Sequence, residues 1–469
     1  WVASASEKLT PIYDPGKGEI IGEMPNVTRE EVDAAIQAAL EAFEKWRKLP
    51  IVERAQYLFK VKSILEEYKE DIARVNTQNH GKTVVDSRGD LRRAIENVEA
   101  AIAVAYTLAK GEYQQEIARD IDETMVREPL GVFAIITPYN FPVMIPFWFI
   151  PYALVLGNTL VVKPSEVTPI PLMFTFKLLA KILPPGVVNI IYTAEPETIS
   201  YLVSHRDIEG VAFVGTSRTA LALYEISARH GKRFLGGGGA SNYAVVMPDA
   251  DLERTVEALV SAKYGNTGQR CLAIQNIAVV GDDDFYSRFK SLFYSRARRI
   301  KVGYGLDEST EMGPMASEKY RQHVLKMIEK GLAEGATLLL DGREQTVPEY
   351  PKGFYLGPSI FENVTPDMSI AREEIFGPVA NLMRAKNLDE AIEWINKNKY
   401  HHSAVIFTKT GAWARRFINN VNVGNVGVNI GIAAPVGWFP FGGRKLSGLG
   451  SHHPQIDVVD FFTDRKIVI

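Results

Sequence analysis

The sequence predicts an α/β protein of two domains, with a polar hairpin set apart from the main body. Three observations carry this. At 469 residues the chain is long enough for two large domains. From Gly131 onward short apolar runs alternate with helical patterns, and after Asp251 a second such alternation begins. Residues 112–129 (EYQQEIARDIDETMVREP) interrupt this with a polar segment of loose strand alternation, the signature of a hairpin that leaves the core.

The elements follow in order. After a short extended entry the first 110 residues are mainly helical. Thr28-Arg-Glu-Glu31 is a capping box, and Val32, Ala35, Ile36, Leu40 and Phe43 recur behind it at helical spacing. Further amphipathic runs cover Val52–Glu67 and Leu91–Leu108, their charges forming solvated faces. Buried strands are expected at Gly131–Ile136, Thr159–Lys163, Val187–Tyr192 and Gly210–Val214, with helices at Leu172–Ile182, Glu197–His205 and Thr219–His230. Strands alternating with helices of this length imply parallel βαβ units. The second run has a helix at Leu252–Tyr264 and strands at Ile277–Val280, Thr337–Leu340, Val379–Arg384 and Ala404–Phe407.

Composition narrows the functional classes. An apolar fraction of 46% suits a large core and excludes disorder and coiled coil. A net charge of −3 gives no electrostatic reason to bind nucleic acid or an anionic membrane. Leu130–Val162 carries no charge and is long enough to span a bilayer, but Pro138, Pro142, Pro146 and Pro151 interrupt it, so no membrane span is expected. The one cysteine suits a reducing compartment, and a cytoplasmic location is expected; the opening Trp1 leaves room for a removed targeting segment.

Several segments could carry chemistry. Val-Gly215-Thr-Ser217 follows a strand and opens a helix, where backbone N–H groups can meet a phosphate and Gly215 allows close approach. Lys163-Pro-Ser-Glu166 ends another strand at the same presumed edge, where a Lys and a Glu suit ribose hydroxyls; a surface salt bridge is the bland alternative. Gly265-Asn-Thr-Gly268-Gln-Arg-Cys271 holds the only thiol, and the adjacent Arg270 would favour a thiolate. Asn140, in Thr137-Pro-Tyr-Asn140-Phe-Pro142, is the candidate oxyanion donor. The histidines show no metal spacing, so no metal is expected, and none has a distinctive neighbourhood for a Cys–His dyad.

Taken together these segments resemble the aldehyde dehydrogenase superfamily. The matches run in order: Pro129-Leu-Gly131, Ile136-Thr-Pro-Tyr-Asn-Phe-Pro142, Gly157-Asn-Thr159, Lys163-Pro-Ser-Glu166, Phe213-Val-Gly215, Gly268-Gln-Arg-Cys271, Glu373-Glu-Ile-Phe-Gly-Pro378 and Pro440-Phe-Gly-Gly443. The resemblance implies a Rossmann-like cofactor domain (1–110 and 130–238), an α/β catalytic domain (239–443), and a strand-built oligomerisation hairpin and tail (111–129 and 444–469) in a homodimer or homotetramer. It implies Cys271 as nucleophile and Asn140 as oxyanion donor. It implies cofactor contacts from Ile136, Thr137, Pro138, Lys163, Ser165, Glu166, Gly215, Thr216, Ser217, Glu374 and Phe376, with Ala220 replacing the family's second glycine. A carboxylate at Glu166 repels a 2′-phosphate and favours NAD over the alternative NADP.

The family's deacylating glutamate falls on Gly237 when Pro248-Asp-Ala-Asp251 is aligned without a gap, and Phe234-Leu-Gly-Gly-Gly-Gly-Ala-Ser241 contains no acid. The chain thus resembles the acylating methylmalonate- and malonate-semialdehyde dehydrogenases, also at Ser227-Ala-Arg-His-Gly-Lys-Arg233, Val245-Val-Met-Pro-Asp249 and Ile95-Glu-Asn-Val-Glu99. That resemblance implies CoA as acyl acceptor, a small carboxylated aldehyde as substrate, Arg93 and Arg270 on its carboxylate, and Phe141 in the substrate site. The bland reading of Arg93 is a surface charge, and of Arg270 a structural pair with an acid. The subgroup's Asn and Lys stand as Gly237 and Ser241, and Pro440–Gly448 looks like general aldehyde dehydrogenases. A hydrolytic enzyme releasing free acid and a non-catalytic structural member are the alternatives.

Overall fold

The computed structural model describes residues 2–469. An antiparallel pair, Leu9–Asp14 and Glu19–Pro25, leads into the helix Arg29–Trp46. Its capping box forms as the sequence predicts: the Glu31 N–H donates to Thr28 Oγ1 at 3.3 Å and the Thr28 N–H to Glu31 Oε2 at 2.8 Å. Three helices follow, Ile51–Glu67, Lys69–His80 and Val84–Val104. The middle one has no sequence signature because Asn76, Thr77, Asn79 and His80 form much of its buried face. The last begins at Val84, not Leu91, because its first turns bury polar groups, Ser87 and Asp90 among them.

The cofactor sheet has six strands in the order Gly448–Gly450, Arg233–Gly237, Ile208–Val214, Val132–Ile136, Thr159–Lys163, Val188–Ile190. All neighbours are parallel except the first pair. Val132–Ile136 and Thr159–Lys163 are buried throughout, as strands covered on both faces must be. The chain runs outward from Val132–Ile136 on one side and returns to Ile208–Val214 on the other. Its carboxyl end is therefore a topological switch point, where open α/β sheets bind ligands. The proline-rich stretch folds as two short helices, Met144–Phe147 and Ile150–Leu156. Trp46 Nε1 and Arg54 Nε donate to the carbonyls of Leu154 and Val155, at 2.9 and 2.8 Å, which lets that helix end within the core.

The second sheet has seven strands, in the order Thr337–Leu340, Ser359–Glu362, Val379–Ala385, Ile274–Val280, Asn242–Val246, Ser403–Phe407, Asn425–Val428. The short Asn242–Val246, Ser359–Glu362 and Asn425–Val428 lie beyond what apolar runs alone reveal. No helix among the described residues is long and apolar enough to cross a membrane.

The C-terminal segment departs from the expected boundary at residue 444. Gly448–Gly450 pairs with Arg233–Gly237 in the cofactor sheet. The Val458–Phe462 helix sinks into the same domain, Phe461 and Phe462 meeting Phe133 at 5.3 and 4.8 Å between ring centroids. Only Thr463–Val468 joins Ile121–Pro129 and Glu112–Ala118 in a three-stranded sheet. The apolar content of Val458–Phe462 draws that part inward, while Thr463–Val468 is polar enough to remain exposed. Tyr113, Ile117, Ile467 and Val468 of that outer sheet are more than half exposed.

Candidate active site

Three segments expected to meet a cofactor converge at the switch point. Thr137 follows Val132–Ile136 directly, and its N–H donates to Lys163 O at 3.1 Å, tying the Ile136-Thr-Pro138 turn to the neighbouring strand end. Lys163 Nζ lies 3.0 Å from Glu166 Oε2. Burial pushes the Glu166 carboxyl up, but Lys163 and hydrogen bonds outweigh it and leave the group below its ordinary range. Ser165 Oγ accepts the Val167 N–H at 3.2 Å and shapes that turn. Behind Gly215, Thr216 caps the helix Ser217–Arg229. Ser217 differs from expectation: its hydroxyl donates to Leu446 O at 2.6 Å and accepts from Gly239 N at 2.9 Å, so it joins chain segments instead of presenting a free hydroxyl.

An aromatic group borders this crevice, of which the sequence singled out only Phe376. Tyr139 stacks on Tyr320 at 4.4 Å, with Phe376 edge-on at 5.9 Å and His80 at 6.0 Å. The hydroxyls of Thr137 and Tyr139 are buried without a partner among the described residues. Buried polar atoms of this kind call for an additional ligand or water. With the Lys163–Glu166 pair and the Thr216-capped helix start, they fit a hydroxyl-rich dinucleotide.

The cysteine loop is built on left-handed backbone, with φ of 52°, 55° and 71° at Asn266, Thr267 and Gly268. A Cβ at Gly268 would come within 2.5 Å of the Gly377 carbonyl carbon, so glycine is required there. Asn140 is buried, and its Nδ2 donates to Gln269 O at 3.0 Å. One amide N–H is thus engaged beside Cys271 and the other remains for an oxyanion. Asn266 Nδ2 reaches both Asn140 O and Gln269 O at 3.2 Å, closing the loop onto the Asn140 turn.

The thiol is not activated as the sequence suggested. Burial, and then the Glu374 carboxylate, push Cys271 up to about 12, against smaller opposing effects of its own and Leu272 backbone N–H groups and of Arg270. Arg270 is committed elsewhere, its Nη2 lying 2.5 Å from Asp86 Oδ1. Arg93 Nη1 likewise meets Glu96 Oε2 at 2.7 Å on a side chain 38% exposed. Each arginine has an acid of its own, and the two are not paired through a shared partner.

Acids of the Val84–Val104 helix support the site from behind. Asp86 also accepts the Asn266 N–H at 3.0 Å. Asp90 accepts Lys82 Nζ at 3.1 Å and the Met144 N–H at 2.6 Å. Lys82, fully buried, donates in turn to Asn140 O at 2.6 Å and lies 4.2 Å from the centre of the Phe141 ring. One helix thereby fixes the turn that carries Asn140 and the loop that carries Cys271.

Glu374 Oε1 accepts the Ala240 N–H at 2.9 Å, and burial pushes its carboxyl up to about 8. Lys263, 1% exposed, is lowered to about 7 by burial, with Glu374 as the opposing charge. A sequence signal for it existed: Lys263 continues the inward stripe Leu252, Val256, Leu259 of its helix.

A narrow cavity opens on Cys271, lined by Gly237, Trp148, Phe441, His402, His452 and His453. A Cβ at Gly237 would meet Val214 at an ordinary 3.4 Å. Histidines whose sequence neighbourhoods were unremarkable are therefore gathered at the thiol.

The aldehyde dehydrogenase family profile matches residues 1–468. Malonate-semialdehyde dehydrogenase 1 of Geobacillus kaustophilus (strain HTA426) is 41% identical over 471 residues, covering 100% of this chain and 95% of that protein. The crystal structure of methylmalonate-semialdehyde dehydrogenase from Oceanimonas doudoroffii superposes with a TM-score of 0.97 at 36% identity, covering 100% of this chain and 96% of the other. A structure from Sinorhizobium meliloti 1021, described as a methylmalonate-semialdehyde dehydrogenase and complexed with NAD, gives 0.97 at 34% identity, with 100% and 95% covered. Matches of this extent, on a fold that brings a half-buried cysteine close to a buried asparagine, make the chain a member of the aldehyde dehydrogenase family.

Proposed function

We propose that this protein oxidises a small carboxylated aldehyde, malonate or methylmalonate semialdehyde, and transfers the acyl group from Cys271 to CoA. The observation that carries the CoA assignment is the glycine at position 237, on the cavity wall beside Cys271, with no acid in residues 234–241. The names of the curated relatives support the substrate class. The Cys271 S–H ionises, its proton leaving to solvent; the thiolate Sγ adds to the aldehyde carbon, and the free N–H of Asn140 Nδ2 holds the resulting oxyanion. A bound nicotinamide cofactor supplies the hydride acceptor. Ile136–Pro138, the Lys163–Glu166 pair, the Thr216 helix start, Glu374 and Phe376 would hold it, NAD being favoured by the Glu166 carboxylate. Collapse of the oxyanion leaves an acyl thioester on Cys271. Water attack on that thioester needs a positioned base, whereas a thiol is itself a good nucleophile.

Arg93 and Arg270 would hold the substrate carboxylate with the guanidinium N–H groups not used by Glu96 and Asp86. The exposed apolar residues of the outer three-stranded sheet support assembly into a homodimer or homotetramer. The test is steady-state turnover of malonate semialdehyde with and without CoA. The expected result is a burst of about one NADH per chain without CoA, from single acylation of one nucleophile, then rapid turnover to an acyl-CoA on its addition. Rapid multiple turnover to free acid without CoA would overturn the CoA assignment.

A further inference from the structure

Of the three histidines of the Cys271 cavity, His452 and His453 are only half-buried, so their rings can reach solvent, and His453 Nδ1 also lies 3.3 Å from Asp457 Oδ2. His402 is different. It is 4% exposed, and neither ring nitrogen has a partner among the described residues. Leaving such groups bare costs about 1–3 kcal/mol each, so a site of this kind is kept for something that enters it. Its position relative to Cys271 is fixed by the backbone. The N–H of Ser403, the next residue, donates to Asn242 Oδ1 at 3.0 Å, and Asn242 Nδ2 donates to Cys271 O at 2.8 Å. The ring stands edge-on to Phe441, 5.2 Å between centroids, and its Nδ1 would lie 2.9 Å from a Cβ at Gly443, where glycine leaves that edge open. Gly237, where the family places its base, lines the same cavity.

We propose that His402 is a catalytic residue of acyl release, accepting the proton of the nucleophile that attacks the Cys271 thioester. This rests on the reading of Cys271 as the acylated residue. The S–H bond of an incoming thiol, or the O–H bond of water, breaks toward an imidazole nitrogen. The new bond to the acyl carbon forms, the carbon–Sγ bond of Cys271 breaks with Sγ leaving as the thiolate, and the imidazolium gives its proton to solvent, from which Sγ is reprotonated. Burial lowers His402 to about 4, so at the pH of most enzymes the ring is neutral and one nitrogen carries a free lone pair. The same shift makes it a weaker base than free imidazole, and it takes the proton only as the attacking atom becomes acidic on bonding to the acyl carbon.

The test loads Cys271 with p-nitrophenyl propionate, which needs neither cofactor nor aldehyde, and follows the acyl adduct by intact-protein mass spectrometry with and without CoA. His402→Leu should give the wild-type burst of p-nitrophenolate but an adduct that decays more slowly by on the order of 10²-fold, and added imidazole should restore part of the rate. Slowing in the CoA arm identifies the thiol as the nucleophile, and slowing only without CoA identifies water. His402→Gln, which keeps hydrogen bonding but is not basic, should behave as the Leu variant. Wild-type decay in both arms, in either variant, overturns the proposal, as does loss of the burst in a variant that keeps the wild-type melting temperature. Failure of the wild-type protein to form any adduct would instead overturn the role of Cys271.

Discussion

Lys82→Met isolates the support behind Asn140. The side chains of Lys82 and Asp90 are both 0% exposed and lie 3.1 Å apart. Methionine fills the same space and removes only the ammonium group. Asp90 would keep its bonds from the Met144 N–H and Asn76 Nδ2 but lose its countercharge. Removing one member of a buried ion pair costs about 3–5 kcal/mol. Asn140 O would retain only Asn266 Nδ2, at 3.2 Å, so the oxyanion donor loses its shorter anchor. The expected outcome is a urea midpoint lowered with an unchanged m-value, and a fall of kcat of roughly tenfold for each 1.4 kcal/mol of lost transition-state positioning. Adding Asp90→Asn removes the stranded charge and should return more than half of the lost stability, a coupling that a double-mutant cycle measures directly. A loss below about 1 kcal/mol in the single variant, or strict additivity in the double, would refute the argument that this pair is a buried, mutually dependent support.

Cys271→Ser should abolish NADH formation while leaving NAD affinity near wild type, measured by fluorescence titration; NADH formation at the wild-type rate would remove the thiol from the mechanism. Alkylation of Cys271 by iodoacetamide should rise about tenfold per pH unit through pH 9, because only the thiolate reacts and the thiol is held up to about 12. Glu374→Gln should speed that alkylation, most clearly above pH 8, where the native carboxyl is charged and opposes the thiolate. Gly237→Glu has room for its Cβ, 3.4 Å from Val214, and should raise CoA-independent release of free acid, measured as NADH beyond the burst. Arg93→Leu should raise KM for malonate semialdehyde at least tenfold and leave KM for propanal nearly unchanged, as about 1.5–3 kcal/mol is lost with a charge-assisted bond.

The parallel strands were legible because residues buried on both faces read as continuous apolar runs, and Val132–Ile136 and Thr159–Lys163 fall where those runs lie. Elements whose inward faces are polar were not. The Lys69–His80 helix buries Asn79 and His80, and the Val84–Val104 helix begins with the buried Ser87 and Asp90, so periodicity of apolar residues misses one and shortens the other. The same limit hid Asp86, Asp90 and Lys82, which hold the site without belonging to a motif. The motifs predict Asn140 and the Cys271 loop at one site, and Asn140 Nδ2 does meet Gln269 O there, but the state of the thiol was not legible, since burial and Glu374 reverse what Arg270 alone suggests. His402 could not be recognised in sequence, because its meaning depends on Asn242 bridging two strands to the Cys271 carbonyl.

The late return of the chain to the cofactor sheet has a consequence for biosynthesis. Gly448–Gly450 adds the edge strand beside Arg233–Gly237, and Phe461 and Phe462 fill the space against Phe133. The segment that lines the Cys271 cavity with Gly448, His452 and His453 therefore leaves the ribosome well after the cysteine it covers. At about 5–20 residues per second, the interval between Cys271 and Gly448 is on the order of ten seconds or more. During that time the nascent domain presents an unpaired strand edge and an uncovered apolar face. Protection of the growing chain over this interval is thus a requirement written into the order in which the fold is threaded.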